Sequence, residues 1–169
     1  HHDLKPGNIM IRQDGVPEIL DFGLARIKRP DPAVWDPEAE TKSVQPGGVP
    51  SVPDMLRGGT PAYMSPEQVE GRVCDHRTDI FSFGVVQYEV LTGQRPFVGE
   101  DDLAIIISIR RDEPAGVTTV KPEVPGELGK LVMRCLRKEV RTRYQAAGDI
   151  RNDLTDVQRA IEAGTVVVE

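Results

Sequence analysis

The chain begins His1-His2-Asp3-Leu4-Lys5-Pro6-Gly7-Asn8-Ile9-Met10-Ile11, and this stretch decides the fold. An acid, a base and an amide stand at Asp3, Lys5 and Asn8, ahead of an apolar run, and a second acid follows in Asp21-Phe22-Gly23. A carboxylate can orient and deprotonate a hydroxyl, and a cation can neutralise a transferring phosphoryl group. An amide and a second carboxylate can hold Mg²⁺ between them. The order of these side chains therefore indicates phosphoryl transfer.

Composition limits what else the chain can be. With 169 residues, of which 38% are hydrophobic and 28% charged, the sequence predicts one soluble globular domain. The net charge of −6 argues against a nucleic-acid partner, because binding to phosphate backbones calls for clustered Lys and Arg. The longest unbroken apolar run, residues 103–107, is far too short to cross a bilayer, so we expect no membrane span in this segment.

The opening stretch resembles the catalytic loop of protein kinases, H-R-D-L-x-x-x-N, and Asp21-Phe22-Gly23 resembles the D-F-G motif that follows it. Lys5 is typical of the serine/threonine branch, and Ser65-Pro66-Glu67, in place of A-P-E, is similar to bacterial members. The resemblance implies a mainly α fold, the C-terminal lobe of a protein kinase, with a short β-hairpin carrying the catalytic loop and the metal aspartate. It assigns residues 1–163 to this lobe, with a long activation loop at 24–57, and 164–169 to a tail.

The same resemblance implies an ATP- and Mg²⁺-dependent kinase that phosphorylates serine or threonine hydroxyls of a protein substrate. Asp3 is expected to orient the hydroxyl and accept its proton, and Lys5 to neutralise the γ-phosphoryl group. Asn8 and Asp21 are expected to hold the metal ion. Met10 is expected beneath the adenine ring, with a core methionine as the alternative.

Further residues are expected to support the site. Thr60 is expected to hydrogen-bond toward Asp3 and Lys5 and to shape the substrate platform. Asp79 is expected to accept backbone amides of the catalytic loop, to cap its own helix, or to do both. Glu67 is expected to be a buried carboxylate that needs a partner, and Arg143 stands where the family keeps that partner; the alternative for Arg143 is a solvated surface charge. The remaining supporting residues are His1 and Phe22.

Periodicity predicts the main elements. Two strands are expected at residues 8–11 and 17–20, because Asp14-Gly15 is a strong hairpin turn. An apolar run over 75–91, hydrophobic nearly all round, predicts a central helix enclosed on every side. Three more helices are predicted at 101–111, 127–137 and 145–163, the first of which has Leu103, Ile106 and Ile107 at helical spacing.

Several kinase parts do not occur in this sequence: it has no G-x-G-x-x-G loop, no V-A-I-K lysine and no helix glutamate to pair with that lysine. We therefore expect the chain to begin part-way through a kinase domain and to transfer no phosphoryl group alone. A non-catalytic kinase-like module that binds partners is the alternative. The acids, base and amide of the two opening motifs favour the enzyme, because a scaffold needs none of them. We expect a cytoplasmic location, as a free protein or as the cytoplasmic part of a membrane-anchored one.

His2 departs from the family pattern, which usually has arginine at this position. That arginine commonly pairs with a phosphate on the activation loop, where Thr41, Ser43 and Ser51 are candidate phosphorylation sites in this sequence. A neutral imidazole is a poor substitute for a bidentate guanidinium. We therefore predict that phosphorylated and dephosphorylated full-length enzyme transfer phosphate at equal rates. Strict dependence of the rate on loop phosphorylation would contradict this prediction.

Overall fold

The computed structural model describes residues 1–20 and 61–164, and its first strands form a β-hairpin. Strand β1, Ile9–Ile11, pairs antiparallel with strand β2, Pro17–Ile19, with Ile9 opposite Ile19. The turn closes through a 2.9 Å hydrogen bond from the Gly15 amide to the Arg12 carbonyl. Gly15 has a φ of 81°, a left-handed conformation that glycine adopts without steric cost. The hairpin predicted from Asp14-Gly15 is therefore confirmed.

Helices dominate the rest of the described chain. The four long helices predicted from periodicity are confirmed, with ends that move by one or two residues. The structure adds two helices of one turn each that periodicity could not reveal, and short 3₁₀ turns at Pro6–Asn8, Pro61–Tyr63 and Val140–Thr142. The helices are α1 Pro66–Val69, α2 His76–Thr92, α3 Asp102–Arg111, α4 Val117–Val120, α5 Gly126–Cys135 and α6 Ala147–Glu162.

Helix α2 is the centre of the hydrophobic core. Asp75 caps its start by accepting a hydrogen bond from the Arg77 amide, and Gly93 ends it in the left-handed conformation. The Phe81 ring in its middle is fully buried and stacks on Phe97 with the ring centroids 5.8 Å apart. The predicted enclosure on every side is wrong in the last turn, where Val90 is 70% exposed although Tyr88 is buried and Leu91 packs against the core, so one face of the helix is open there.

Helix α3 buries only part of its apolar surface. Ile105, Ile106 and Ile109 are buried, while Leu103 and Ile107, which share the helical spacing of Ile106, are largely exposed. More than one choice of buried face fits a helical period, because residues 103–109 are apolar nearly all round the helix. Packing of α3 against the 3₁₀ turn Pro61–Tyr63 and helix α1 selects the buried face. None of the helices in the described parts of the chain is long and apolar enough to cross a membrane.

Gly84 sets the distance between helices α2 and α5. A Cβ atom placed on Gly84 would lie 2.7 Å from the Cβ of Cys135 and 3.2 Å from a methyl group of Leu136. The first of these contacts involves an atom fixed to the backbone of α5, so the helices would have to move apart. The close approach of the two helices therefore requires glycine at this position.

We predict that Gly84→Ala lowers the free energy of unfolding by about 1 to 3 kcal/mol, the usual result of overpacking a core. Gly148→Ala is the matched control, because a Cβ on Gly148 in helix α6 meets nothing within 4 Å. The control should be neutral or stabilising by at most about 1 kcal/mol, since alanine favours a helix over glycine. Urea denaturation of both variants measures the difference, and equal stabilities would show that α2 and α5 are not in close contact.

Candidate active site

Asp3, Lys5 and Asn8 converge at the start of the chain. The Lys5 ammonium donates to Oδ2 of Asp3 at 2.8 Å, and Nδ2 of Asn8 donates to the same oxygen at 3.0 Å and to the Asp3 backbone carbonyl at 2.8 Å. Leu4, buried between the two charged residues, anchors the loop in the core. The 3₁₀ turn Pro6–Asn8 then brings the Asn8 amide to the Lys5 carbonyl at 2.9 Å. A cation and an amide thus both hydrogen-bond the same oxygen of one carboxylate.

The atoms used in this cluster decide what it can do chemically. In the described part of the chain, both contacts of the Asp3 carboxylate are made through Oδ2, so Oδ1 is the oxygen that can accept a proton from a hydroxyl. Both contacts of the Asn8 side chain use Nδ2. Its Oδ1 is therefore the atom that can meet a cation, and amide oxygen is a ligand that Mg²⁺ accepts.

His1 connects this loop to the end of the β-hairpin. Its Nδ1 lies 3.2 Å from the Asp3 amide, and its Nε2 lies 2.9 Å from the Leu20 carbonyl. The amide must donate and the carbonyl must accept, so the two contacts agree with a neutral imidazole that carries its proton on Nε2. Leu20 in turn donates its amide to the Asn8 carbonyl at 2.8 Å. The hairpin thus returns the chain to the loop just before Asp21.

Asp79 of helix α2 holds the backbone of the loop. Its Oδ1 accepts a hydrogen bond from the His2 backbone amide at 2.7 Å, and its Oδ2 lies 2.8 Å from the backbone nitrogen of His1. This is the contact expected from the sequence. The alternative, that Asp79 caps its own helix, is wrong, because Asp75 is the cap. His2 has a φ of 65°, a left-handed conformation that costs a non-glycine residue about 1 to 3 kcal/mol.

Glu67 and Arg143 form a fully buried ion pair. Glu67 is 3% exposed and Arg143 is 1% exposed, and two parallel N–H···O bonds of 2.7 Å join the guanidinium to the carboxylate. The Thr78 hydroxyl donates a third hydrogen bond to the carboxylate at 2.9 Å. The pairing expected from the sequence is thus present, and the alternative of a solvated Arg143 is wrong.

The remaining donors of Arg143 are also used. Its Nε donates to the Arg137 carbonyl at 2.6 Å, and its two amino groups each donate to one more carbonyl, of Arg77 and Lys138, at 3.1 Å. All five N–H groups of the guanidinium therefore have partners. Burial alone would raise the pKa of Glu67, but hydrogen bonding and the charge of Arg143 outweigh it and hold that pKa below its ordinary value of 4.5. The pair therefore stabilises the fold above pH 4.5 and loses this contribution as the pH falls through the lowered pKa.

Gln68, which sequence analysis did not identify, also contacts the catalytic loop. It forms a capping box with Ser65, whose amide donates to Oε1 of Gln68 at 2.9 Å. Its Nε2 donates to the His2 carbonyl at 2.8 Å. The spacing from Ser65 to Gln68 predicts the capping box, but no sequence signal links residues 66 positions apart.

Several predicted site residues lie outside the described residues: Asp21, Phe22, Thr60 and the activation-loop hydroxyls. Met10 lies in strand β1 with 46% of its surface exposed, which contradicts the core-methionine alternative. Within residues 1–20 and 61–164, no cluster of three or more His, Cys, Asp or Glu side chains could hold a metal ion. Asn8 fits as one oxygen ligand of Mg²⁺, and the second expected ligand, Asp21, stays a prediction.

Comparison with known proteins identifies the family to which this loop and its supports belong. The protein kinase domain family matches residues 1–153. The chain is 35% identical over 157 residues to the serine/threonine-protein kinase PknB of Mycolicibacterium smegmatis, covering 93% of this chain and 23% of that protein. It is 34% identical over 154 residues to a probable serine/threonine-protein kinase of Streptomyces coelicolor, covering 91% of this chain and 20% of that protein.

A solved structure shows the same fold. The twitchin kinase region of Caenorhabditis elegans superimposes with a TM-score of 0.64 and 26% sequence identity, over 92% of this chain and 24% of that one. The chain thus spans between a fifth and a quarter of the length of these relatives. Because the family match covers most of its residues, this chain belongs to the protein kinase family.

Proposed function

We propose that this chain forms the C-terminal part of a serine/threonine protein kinase domain that uses ATP and Mg²⁺. The observation that carries the proposal is the convergence of Lys5 and Asn8 on Asp3, whose Oδ2 lies within 3.0 Å of the donor nitrogen of each of the other two side chains. The proposed lobe comprises residues 1–163, with an activation loop at 24–57 and a tail at 164–169. The relatives named as serine/threonine-protein kinases support the choice of acceptor.

Each residue of the cluster has a defined role in this proposal. Oδ1 of Asp3 orients a serine or threonine hydroxyl and accepts its proton as the hydroxyl oxygen bonds to the γ-phosphorus of ATP and ADP leaves. The Lys5 ammonium neutralises charge on the transferring phosphoryl group. Asn8 and Asp21 hold Mg²⁺, which when bound neutralises the phosphate oxygens. Met10 lies beneath the adenine ring, and its exposure leaves it accessible to a nucleotide.

The supporting residues keep this cluster in place. Asp79 and the pair of Glu67 with Arg143 hold the catalytic loop and the segment that follows the activation loop. We assign Thr60 to the substrate platform, as the family resemblance implies. The remaining supports are His1, which contacts the loop and the hairpin, and Phe22. Because the reaction consumes ATP, we expect the kinase domain to lie in the cytoplasm, in a free protein or as the cytoplasmic part of a membrane-anchored one.

The test is a phosphotransfer assay on the full-length natural protein that carries these residues, with Mg-ATP and a generic protein acceptor. We predict that Asp3→Asn lowers kcat by about 10²- to 10⁴-fold, because the amide cannot accept the substrate proton. Omitting Mg²⁺ or adding a chelator should abolish transfer by the wild-type protein.

Asp14→Asn is the matched control. It makes the same substitution in the exposed hairpin turn, where asparagine also suits the backbone, and should leave kcat unchanged. Equal activity of Asp3→Asn and wild type would show that Asp3 is not the base. A wild-type protein that transfers no phosphate to serine or threonine, yet retains its fold, would favour the alternative of a non-catalytic partner-binding module.

A further inference from the structure

Gln68 uses the two ends of its side-chain amide for different purposes. Its Oε1 accepts the Ser65 amide at 2.9 Å and completes the capping box of helix α1. Its Nε2 points the other way and donates to the His2 carbonyl at 2.8 Å, in a half-buried contact. A capping box needs only the oxygen, and glutamate supplies that oxygen equally well. Capping therefore explains Oε1 but not the contact made by Nε2.

The His2 carbonyl belongs to the peptide group that joins His2 to Asp3. The amide on the other side of His2 is held by Oδ1 of Asp79 at 2.7 Å. His2 itself adopts a φ of 65°, and a non-glycine residue keeps such a conformation when its surroundings fix it from more than one side. Asp79 and Gln68 are two such fixed points, one on each polar group of the His2 backbone.

We propose that Gln68 is a positioning residue for the carboxylate of Asp3. By holding the His2–Asp3 peptide group, it sets the direction in which the Asp3 side chain leaves the backbone. The inference rests on the proposed function, in which Asp3 accepts the substrate proton. It adds a link between the segment that follows the activation loop and the catalytic loop, so that the two are aligned by a hydrogen bond as well as by packing.

The test separates the two ends of the Gln68 amide. Gln68→Glu keeps an oxygen for the Ser65 amide and replaces the donor with an oxygen that repels the His2 carbonyl. Ser65→Ala is the control: it removes the other half of the capping box, the 3.4 Å contact between Oγ of Ser65 and the Gln68 backbone amide, and it leaves both side-chain contacts of Gln68 in place.

We predict that Gln68→Glu in the full-length protein lowers kcat about ten- to hundredfold, the usual effect of a small misplacement of a reacting group. KM for ATP should stay unchanged, since the nucleotide contacts are not altered. Ser65→Ala should leave kcat, the KM for ATP and the KM for the protein acceptor unchanged. A kcat for Gln68→Glu equal to that of the wild type would overturn the inference, as would an equal loss of kcat in Ser65→Ala.

Hydrogen–deuterium exchange provides a readout that does not depend on activity. Exchange of the peptide amides in residues 1–11 should rise in Gln68→Glu but not in Ser65→Ala, while exchange in helix α2 stays unchanged in both variants. If the wild-type protein transfers no phosphate, the proposed function fails and exchange alone decides whether Gln68 holds the loop. Faster exchange throughout helix α2 in Gln68→Glu would show a general loss of stability and overturn the local role.

Discussion

The buried ion pair between Glu67 and Arg143 is the interaction on which the rest of the site depends. Removing both charges from water is costly, and the pair persists because the two groups bind each other bidentately and every remaining donor of the guanidinium has a partner. The third hydrogen bond to the carboxylate, from Thr78, joins the segment after the activation loop to helix α2. The residues that follow Glu67 and Thr78 in the chain are Gln68 and Asp79, and both of them bind His2.

Through this arrangement the buried ion pair controls the position of the catalytic loop. With Glu67 and Thr78 joined, their neighbours Gln68 and Asp79 present a donor and an acceptor at a fixed separation. The His2 backbone bridges them in a left-handed conformation that an isolated loop would seldom adopt. Asp3 follows directly, so in the proposed function its carboxylate is positioned by groups that themselves take no part in phosphoryl transfer. Such pre-organisation of the reacting groups accounts for most of the rate enhancement by kinases, because the protein contributes mainly positioning and electrostatic stabilisation.

Local patterns in the sequence were sufficient to predict some parts of this site. The hairpin turn depends on neighbours in the chain, so turn chemistry predicted it. The roles of Asp3, Lys5 and Asn8 were inferred from their residue types and from the family resemblance, whereas their convergence was seen only in the structure. The ion pair was expected only because the family resemblance named its partners. The contact of the Gln68 side chain with the His2 backbone carbonyl was missed because groups 66 positions apart in the chain leave no periodic signal. The helix over residues 103–109 was predicted but not its buried face, because an almost wholly apolar run fits several helical faces and packing alone distinguishes them.

A double-mutant cycle between Glu67→Gln and Arg143→Met, followed by urea denaturation, measures how strongly the two buried charges depend on each other. Arg143→Met alone strands a buried carboxylate and should cost about 3 to 5 kcal/mol. In the Glu67→Gln background no carboxylate is left to strand, so the same change should cost less, giving a coupling energy of about 2 to 3 kcal/mol. The cycle cancels the loss of the hydrogen bonds from Arg143 to backbone carbonyls, which occurs in both backgrounds. If Arg143→Met lowers the free energy of unfolding by the same amount, within about 0.5 kcal/mol, in the wild-type and Glu67→Gln proteins, the two charges are not coupled and the ion pair does not hold the site together.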